Sequence, residues 1–223
     1  MCIRDSLYNV LEELNAMVLK VVTTFVIPLL PIYIFGTFLN LGMNENFGDT
    51  MAAMGVVLVL SIAMTLVIVL LQYLLAGAVA GVNPFTALKN MLPAYFTALG
   101  TSSSAATIPV TYESTLKNKV EEEVAGFVVP LCATIHLSGS MMKITLYALS
   151  IVYMASLDIS GGQIIGFILL LGIMMIAAPG VPGGAIMAAV GLLQSNLGFD
   201  ESMVSLMIAS YIVVDSFGTA ANV

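Results

Sequence analysis

Apolar residues fill this chain in long blocks separated by short polar interruptions, and the blocks read as helices. The uncharged runs 50–88, 90–112 and 159–199 each reach or exceed the roughly 20 residues a helix needs to cross the hydrocarbon core of a bilayer. Six units follow. Residues 17–40 read as one spanning helix kinked by Pro28 and Pro31, and residues 51–82 as a second, long enough to tilt. Residues 83–112 differ, because Gly100, Thr101, Ser102, Ser103 and Ser104 cut the apolar stretch in the middle. Each arm is then about 10–14 residues, the length of a re-entrant segment rather than a span. Residues 124–157 are a helix-length run interrupted at His136, Leu137, Ser138, Gly139 and Ser140. Residues 163–198 repeat the hairpin pattern, cut by Ala178, Pro179, Gly180, Val181, Pro182, Gly183 and Gly184. Residues 201–223 read as a last helix that carries Asp215 and small residues near its end.

Hairpin followed by broken helix thus occurs twice in order. Interrupted apolar segments at corresponding positions of two halves point to a transporter binding site. Irregular backbone survives at membrane depth only where it is buried in protein or lines a cavity. Gly and Pro also kink ordinary spanning helices, but four interruptions in alternating order favour a site. The expected fold is an all-α membrane protein. Residues 83–223 form a helical transport domain with two re-entrant helical hairpins and two broken helices as an inverted repeat. Residues 7–82 supply two spanning helices on the scaffold side.

Composition agrees: 60% of residues are hydrophobic, 9% are charged, and the mean hydropathy is +1.06. A soluble domain carries about 25% charge to wet its surface, so most of this surface faces lipid. No basic stripe is present, which excludes nucleic acid as a partner. If 83–112 enters and leaves on one side, then Lys20, Lys89, Lys117 and Lys119 all share that side. The stretches near residues 45–49, Asp158 and residues 200–201 hold no lysine. The positive-inside rule makes the lysine side cytoplasmic. Met1, Cys2, Ile3, Arg4, Asp5 and Ser6 read like a translated library adapter and are set aside from fold reasoning. Without them the chain has no arginine and one cysteine, Cys132, a packing residue that can form no intrachain disulfide. Val223 falls inside an apolar segment, as expected of an internal piece of a longer chain.

Gly100-Thr101-Ser102-Ser103-Ser104-Ala105-Ala106-Thr107-Ile108-Pro109-Val110 is the most specific stretch. It resembles the first re-entrant hairpin of the dicarboxylate/amino acid:cation symporter family, whose members include glutamate transporters. Three further stretches join it in order: Pro130-Leu131-Cys132-Ala133-Thr134-Ile135, Gly180-Val181-Pro182-Gly183, and Asp215-Ser216-Phe217-Gly218-Thr219-Ala220-Ala221-Asn222-Val223. The resemblance spans about residues 17–223. It implies an integral, multi-pass plasma-membrane protein that works as a homotrimer, is not an enzyme, needs no cofactor, and couples a small-molecule substrate to sodium or protons.

The residues carry matching chemistry. A serine-rich tip leading into a helix start offers free N–H groups, a positive dipole end and hydroxyl donors to a carboxylate; serines also pack helix crossings in membranes. Asp215 is the one acid deep within an apolar segment, where a carboxylate costs about 2.5–3.5 kcal/mol on insertion scales. It either binds a ligand or is a structural acid paired to Lys143. The resemblance implies a substrate site of Ser102, Ser103, Ser104, Ser140, Val181, Asp215, Thr219 and Asn222, with Asp215 on the substrate's amino group and the second hairpin tip as the gate. It implies cation coupling through Thr134, His136, Ser138, Ala178 and Asn222.

Two departures from the family stand out. Acidic-substrate members carry an arginine one turn after this aspartate to clamp a second carboxylate; here that position is Gly218, which leaves space and no cation. Losing a charge-assisted contact of roughly 1.5–3 kcal/mol favours a neutral amino acid, or a smaller acid held differently. The family's Asn-Met-Asp-Gly-Thr run here reads His136-Leu137-Ser138-Gly139-Ser140, so Ser138 replaces a sodium-site acid. His136 and Lys143, titratable groups in an apolar segment, make protons candidate coupling ions, although a lone buried His is more often a satisfied structural residue and Lys143 can simply neutralise a nearby acid. An ion channel is a competing class, since re-entrant hairpins also build filters. A hydrolase is disfavoured, because no Gly-x-Ser-x-Gly elbow occurs and His136 is the only histidine.

Overall fold

Short polar residues start four of the helices. Asn83 accepts the Phe85 and Thr86 amides at 2.9 and 3.3 Å and, with Pro84 behind it, opens the helix Pro84–Thr101. Ser160 and Gln163 form a reciprocal capping box at the helix Gly161–Ile176. Asp200 accepts the Met203 amide at 2.8 Å and opens the helix Glu201–Asn222. That bond, with help from Ser202, holds the Asp200 carboxyl below its usual range. The cap is therefore fully present at neutral pH and is lost only as pH falls through that lowered value.

The computed structural model describes residues 3–21, 24–25, 27–43 and 47–223, and every regular element among them is helical. In order these are α1 (Ile3–Val21), α2 (Ile27–Gly42), α3 (Phe47–Ala80), α4 (Pro84–Thr101), α5 (Ser104–Lys117), α6 (Glu122–Ile135), α7 (Ser138–Met154), α8 (Gly161–Ile176), α9 (Gly184–Leu197) and α10 (Glu201–Asn222). Residues 1–45 and 46–223 form separate units.

The first unit corrects one expectation in part. Between α1, which ends at Val21, and α2, which begins at Ile27, residues 24–25 are π-helical, so the described part of 17–40 is not one uniform α-helix. A π-helical turn bends a helix, as a proline does. Residues 22, 23 and 26 lie outside the described residues, as do Met1 and Cys2 of the presumed adapter; Ile3 to Ser6 are helical within α1.

In the second unit three stretches are long and apolar enough to cross a membrane, among the described residues: α3, α6 with α7, and α10. At 1.5 Å per residue α3 is about 50 Å long, well beyond a bilayer core of about 30 Å. It starts four residues before the expected 51, with Asp49 in its first turn, where the helix dipole favours an acid. It packs on α4, α7 and α10.

The expected interruptions are narrower than their sequence. Only Ser102 and Ser103 separate α4 from α5, and only His136 and Leu137 separate α6 from α7, so Ser138, Gly139 and Ser140 are already helical. Ser102 makes the first reversal possible by adopting the left-handed conformation, φ +48°, at a cost of roughly 1–2 kcal/mol for a residue with a Cβ. At 18 and 16 residues, α4 and α8 exceed the expected arm length. The ends of the first pair lie together: Asn90 Nδ2 donates to Asn118 Oδ1 at 2.7 Å and Asn118 Nδ2 to the Ala87 carbonyl at 3.2 Å. Glu122 and Glu123 form the exposed first turn of α6.

A second correction concerns α10, one of the two helices expected to be broken: it runs uninterrupted from Glu201 to Asn222. Gly218 costs about 1 kcal/mol in helix propensity, but close packing makes use of it. A Cβ on Gly139 of α7 would lie 2.6 Å from the Gly218 carbonyl oxygen and 2.8 Å from Ala221 Cβ, so the two backbones nearly touch. The core centres on α10, which packs on α3, α4, α5, α7 and α9. The opposite pattern marks the periphery. On α8, Phe167, Leu171 and Met175 are buried while Ile165, Leu169, Ile173 and Ile176 are exposed, a stripe for lipid.

Candidate functional site

The start of α7 has no side-chain cap of its own, since Leu137 sits at that position. Asn222 of α10 takes over. Its Oδ1 accepts the Gly139 and Ser140 amides at 2.9 and 3.4 Å, and its Nδ2 donates to Ser140 Oγ at 2.9 Å. Asn222→Ala should therefore cost about 1–2 kcal/mol, the upper range for a lost cap, read as a lower Tm of the purified protein. An unchanged Tm would show that water or neighbouring groups cap α7 equally well.

Two turns earlier, α10 presents Asp215, which is only 6% exposed. The Gly183 amide, in the link between α8 and α9, donates to Asp215 Oδ2 at 2.7 Å. Gly183 has φ +72°, a conformation natural to glycine, and this turn aims its N–H at the carboxylate. Asp215 Oδ1 lies 4.0 Å from the Lys143 ammonium. Lys143 is completely buried and donates to the Val214 and Asp215 carbonyls at 2.7 and 3.1 Å. It also sits 4.6 Å from the centre of the Tyr211 ring, a cation–π contact.

The two interhelix links meet. Ser103 accepts the Ala106 amide as the cap of α5 and donates to the Gly180 carbonyl at 2.8 Å. Between the links and α10 lies a small pocket lined by Ser102, Ser104, Leu137, Ser140, Pro179, Gly180, Val181, Ala185, Asp215, Thr219 and Asn222. Its volume is about 10 Å³, room for at most one water. Seven of the eight residues expected around a substrate thus share one cavity wall. Ser103 does not line it, because its hydroxyl is turned to Gly180. The Thr219 hydroxyl bonds to the Asp215 carbonyl at 3.1 Å.

Of the five residues expected to couple a cation, His136, Ser138 and Asn222 come together in one hydrogen-bonded cluster, while Thr134 and Ala178 make no hydrogen bond to it. Thr134 is exposed and bonds to the Leu131 carbonyl of its own helix at 3.0 Å. Ala178 is buried in the second link. His136 and Ser138 instead form a cluster with Gln72 of α3. Gln72 Nε2 donates to Ser138 Oγ at 2.8 Å and lies 3.2 Å from His136 Nε2, while His136 Nδ1 faces the Asn222 carbonyl at 2.9 Å. A carbonyl only accepts, so Nδ1 carries the proton. Among the described residues no group of three His, Cys, Asp or Glu could hold a metal ion.

Gly218 is the third correction. The space it leaves is already filled, since a Cβ there would collide with Lys143 Cε and Nζ. The cation expected to be missing from this part of α10 is present, but α7 supplies it. Sequence reasoning placed Gly183 in the second hairpin tip but not on Asp215, and it missed Gln72 and Tyr211. Gln72 carried a signal: Ser61, Thr65 and Gln72 mark one polar face of an otherwise apolar helix. Tyr211 precedes Asp215 by one turn, which places both on the same face.

The architecture defines a multi-pass, all-helical membrane protein in which Asp215, the one buried carboxylate among the described residues, faces a small pocket built from helix ends and links. A family profile described as the Sodium:dicarboxylate symporter family matches residues 3–223, and the chain belongs to that family; it is a transporter-family protein, not an enzyme. It is 30% identical over 224 residues to excitatory amino acid transporter 1 of Rattus norvegicus, covering 98% of this chain and 40% of that protein. It is 32% identical to excitatory amino acid transporter 1 of Ambystoma tigrinum over 67% of this chain and 28% of that protein. With excitatory amino acid transporter 3 of Bos taurus it is 34% identical over 63% of this chain and 27% of that protein. The chain thus spans between 27% and 40% of these relatives' lengths.

Proposed function

We propose that the full-length parent is a cation-coupled symporter of small amino acids in the plasma membrane, with a preference for side chains that carry no charge. One observation carries this reading: a single small pocket gathers a lone carboxylate, hydroxyls of Ser104, Ser140 and Thr219, and the start of α5, with no cation in its lining. The substrate's carboxylate faces Ser102, Ser104 and the α5 N-terminus, where dipole and hydroxyls favour an anion. Its ammonium takes Asp215 Oδ2, displacing the Gly183 amide, and so frees the α8–α9 link to move as a gate. The paired helices α4–α5 and α8–α9 act as re-entrant hairpins entering from opposite faces, the first from the cytoplasm. The shared position of the outer ends of α4 and α5 supports this. Dicarboxylate transport is the alternative substrate reading, and homotrimeric assembly belongs to the same proposal.

His136 is the proposed route for protons. Ser138 contributes no charge where the family pattern has a sodium-binding acid, and the His136 ring bridges α10 and Gln72 of α3. The test is uptake by the full-length protein in liposomes under imposed gradients. Uptake of a neutral amino acid in preference to glutamate, driven by a pH gradient without sodium, is expected. Strict sodium dependence with pH-independent glutamate uptake would overturn both the selectivity and the coupling. Substrate-free ion current without concentrative uptake would point to a channel instead.

A further inference from the structure

Away from the Asp215 pocket, α3 and α7 leave a groove between them on the surface of their unit. At one end it is a hollow of about 470 Å³ between Ala53, Val56 and Val57 of α3 and Leu146, Leu149 and Tyr153 of α7. At the other it is a hollow of about 380 Å³ between Met64 of α3, Met141, Met142 and Thr145 of α7, and Ile168 of α8. Leu146 and Leu149 line both, so the two hollows form one groove between antiparallel helices. From Ser138 to Met154 it follows α7 for about 24 Å, at 1.5 Å per residue. One leaflet, hydrocarbon and headgroup region together, is about 20–22 Å thick. Helix α7 begins at the break inside a membrane-length stretch and ends at the edge of that stretch. The groove therefore runs from mid-membrane to the surface, the span of a single lipid.

The surroundings of the groove differ in charge from one end of α3 to the other. Asp49 lies one turn before Ala53 on the same face of α3, and Asp158 follows the end of α7; both are exposed. Tyr153, 86% exposed, stands at this mouth, as aromatic residues do at the membrane–water boundary. Apart from the buried Lys143, the lysines described in this unit are Lys89, Lys117 and Lys119. They sit beyond the opposite end of α3, where α4 starts and α5 ends. We propose that the groove holds a bilayer phospholipid whose headgroup carries an ammonium, with its acyl chain along α3 and α7 and its headgroup at Asp49 and Asp158. The apolar walls take the chain. The acidic mouth attracts the ammonium and repels an anionic headgroup such as that of phosphatidylglycerol. This site is separate from the Asp215 pocket, and its assignment does not depend on which substrate that pocket takes.

The test uses the full-length parent in vesicles of phosphatidylethanolamine and phosphatidylglycerol, with one or the other lipid brominated on its chains to quench fluorescence. Val57→Trp places a fluorophore in the groove, in a stretch of sequence that has no tryptophan of its own. Leu169→Trp places one on the exposed lipid stripe of α8. Reporter emission is taken as the difference from the protein without the added tryptophan. The groove should favour phosphatidylethanolamine by about threefold or more, and the stripe should show no preference. Asp49→Asn with Asp158→Asn should remove the preference at the groove. Equal quenching by the two lipids at the groove, or a preference that survives loss of both acids, would overturn the proposal. A groove reporter that neither lipid quenches, while Leu169→Trp is quenched, would show that protein covers the groove and would overturn it as well. If Val57→Trp is not recovered folded, Val56→Trp reports on the same wall.

Discussion

Asp215→Asn is expected to lower amino-acid transport by about a hundredfold or more while the protein still reaches the membrane. Losing one partner of a buried, hydrogen-bonded charge pair costs about 2–5 kcal/mol, and the proposed ligand ammonium loses its only anionic contact in the pocket. The structure adds a second consequence. The substitution strands Lys143 as a buried ammonium with carbonyls but no anion, a situation that costs roughly 3–5 kcal/mol. The variant should therefore also melt earlier, and adding Lys143→Met should recover much of the stability without recovering transport. Uptake and Tm measured on the same preparations separate the two effects. Normal transport by Asp215→Asn would remove Asp215 from the substrate site.

Gly218→Ala carries the other large expected effect. In an ordinary helix this change stabilises by about 1 kcal/mol. Here the new Cβ meets Lys143 Cε and Nζ at a fully buried position, and overpacking costs about 1–3 kcal/mol. The lysine must also give up carbonyl bonds to move aside, so the net result is a loss of stability. Lys143→Ala with Gly218→Ala should be more stable than the two single losses imply. The reasoning extends to Gly218→Arg, which the sequence alone suggested would convert the site to acidic substrates. With Lys143 in place that arginine has no room and brings a second cation into the same volume. Acid selectivity would require removing the lysine first. A Gly218→Ala Tm equal to that of the unmodified protein would show that Lys143 can swing away freely.

The sequence was most legible where a single residue type leaves a local signature. Asn83-Pro84, Ser160 with Gln163, and Asp200 mark helix starts, and long apolar runs mark α3 and α10 as membrane-length. Of the candidate site, Asp215 stood out because a carboxylate in an apolar helix is rare. Pairwise relations across the fold were not legible. Nothing local to Gly218 indicates that a lysine 75 positions earlier occupies its side-chain space, and a glycine in a list of small residues resembles a helix breaker. The narrowness of the breaks was hidden for a similar reason. Ser138 to Ser140 look like loop residues until Asn222 arrives from another helix to cap them.

The capping of α7 by Asn222 also bears on how the chain is made. A ribosome finishes Ser140 well before Asn222 exists, and at roughly 5–20 residues per second the interval is several seconds or longer. During that time the nascent α7 must wait at the insertion machinery with bare amides at its start and a lysine that has not yet met Val214 or Asp215. Neither group can be left facing lipid. Insertion of α7 is thus tied to the arrival of α10, and release of the segment before residue 222 is synthesised should leave a substrate for membrane quality control rather than a stable half-protein.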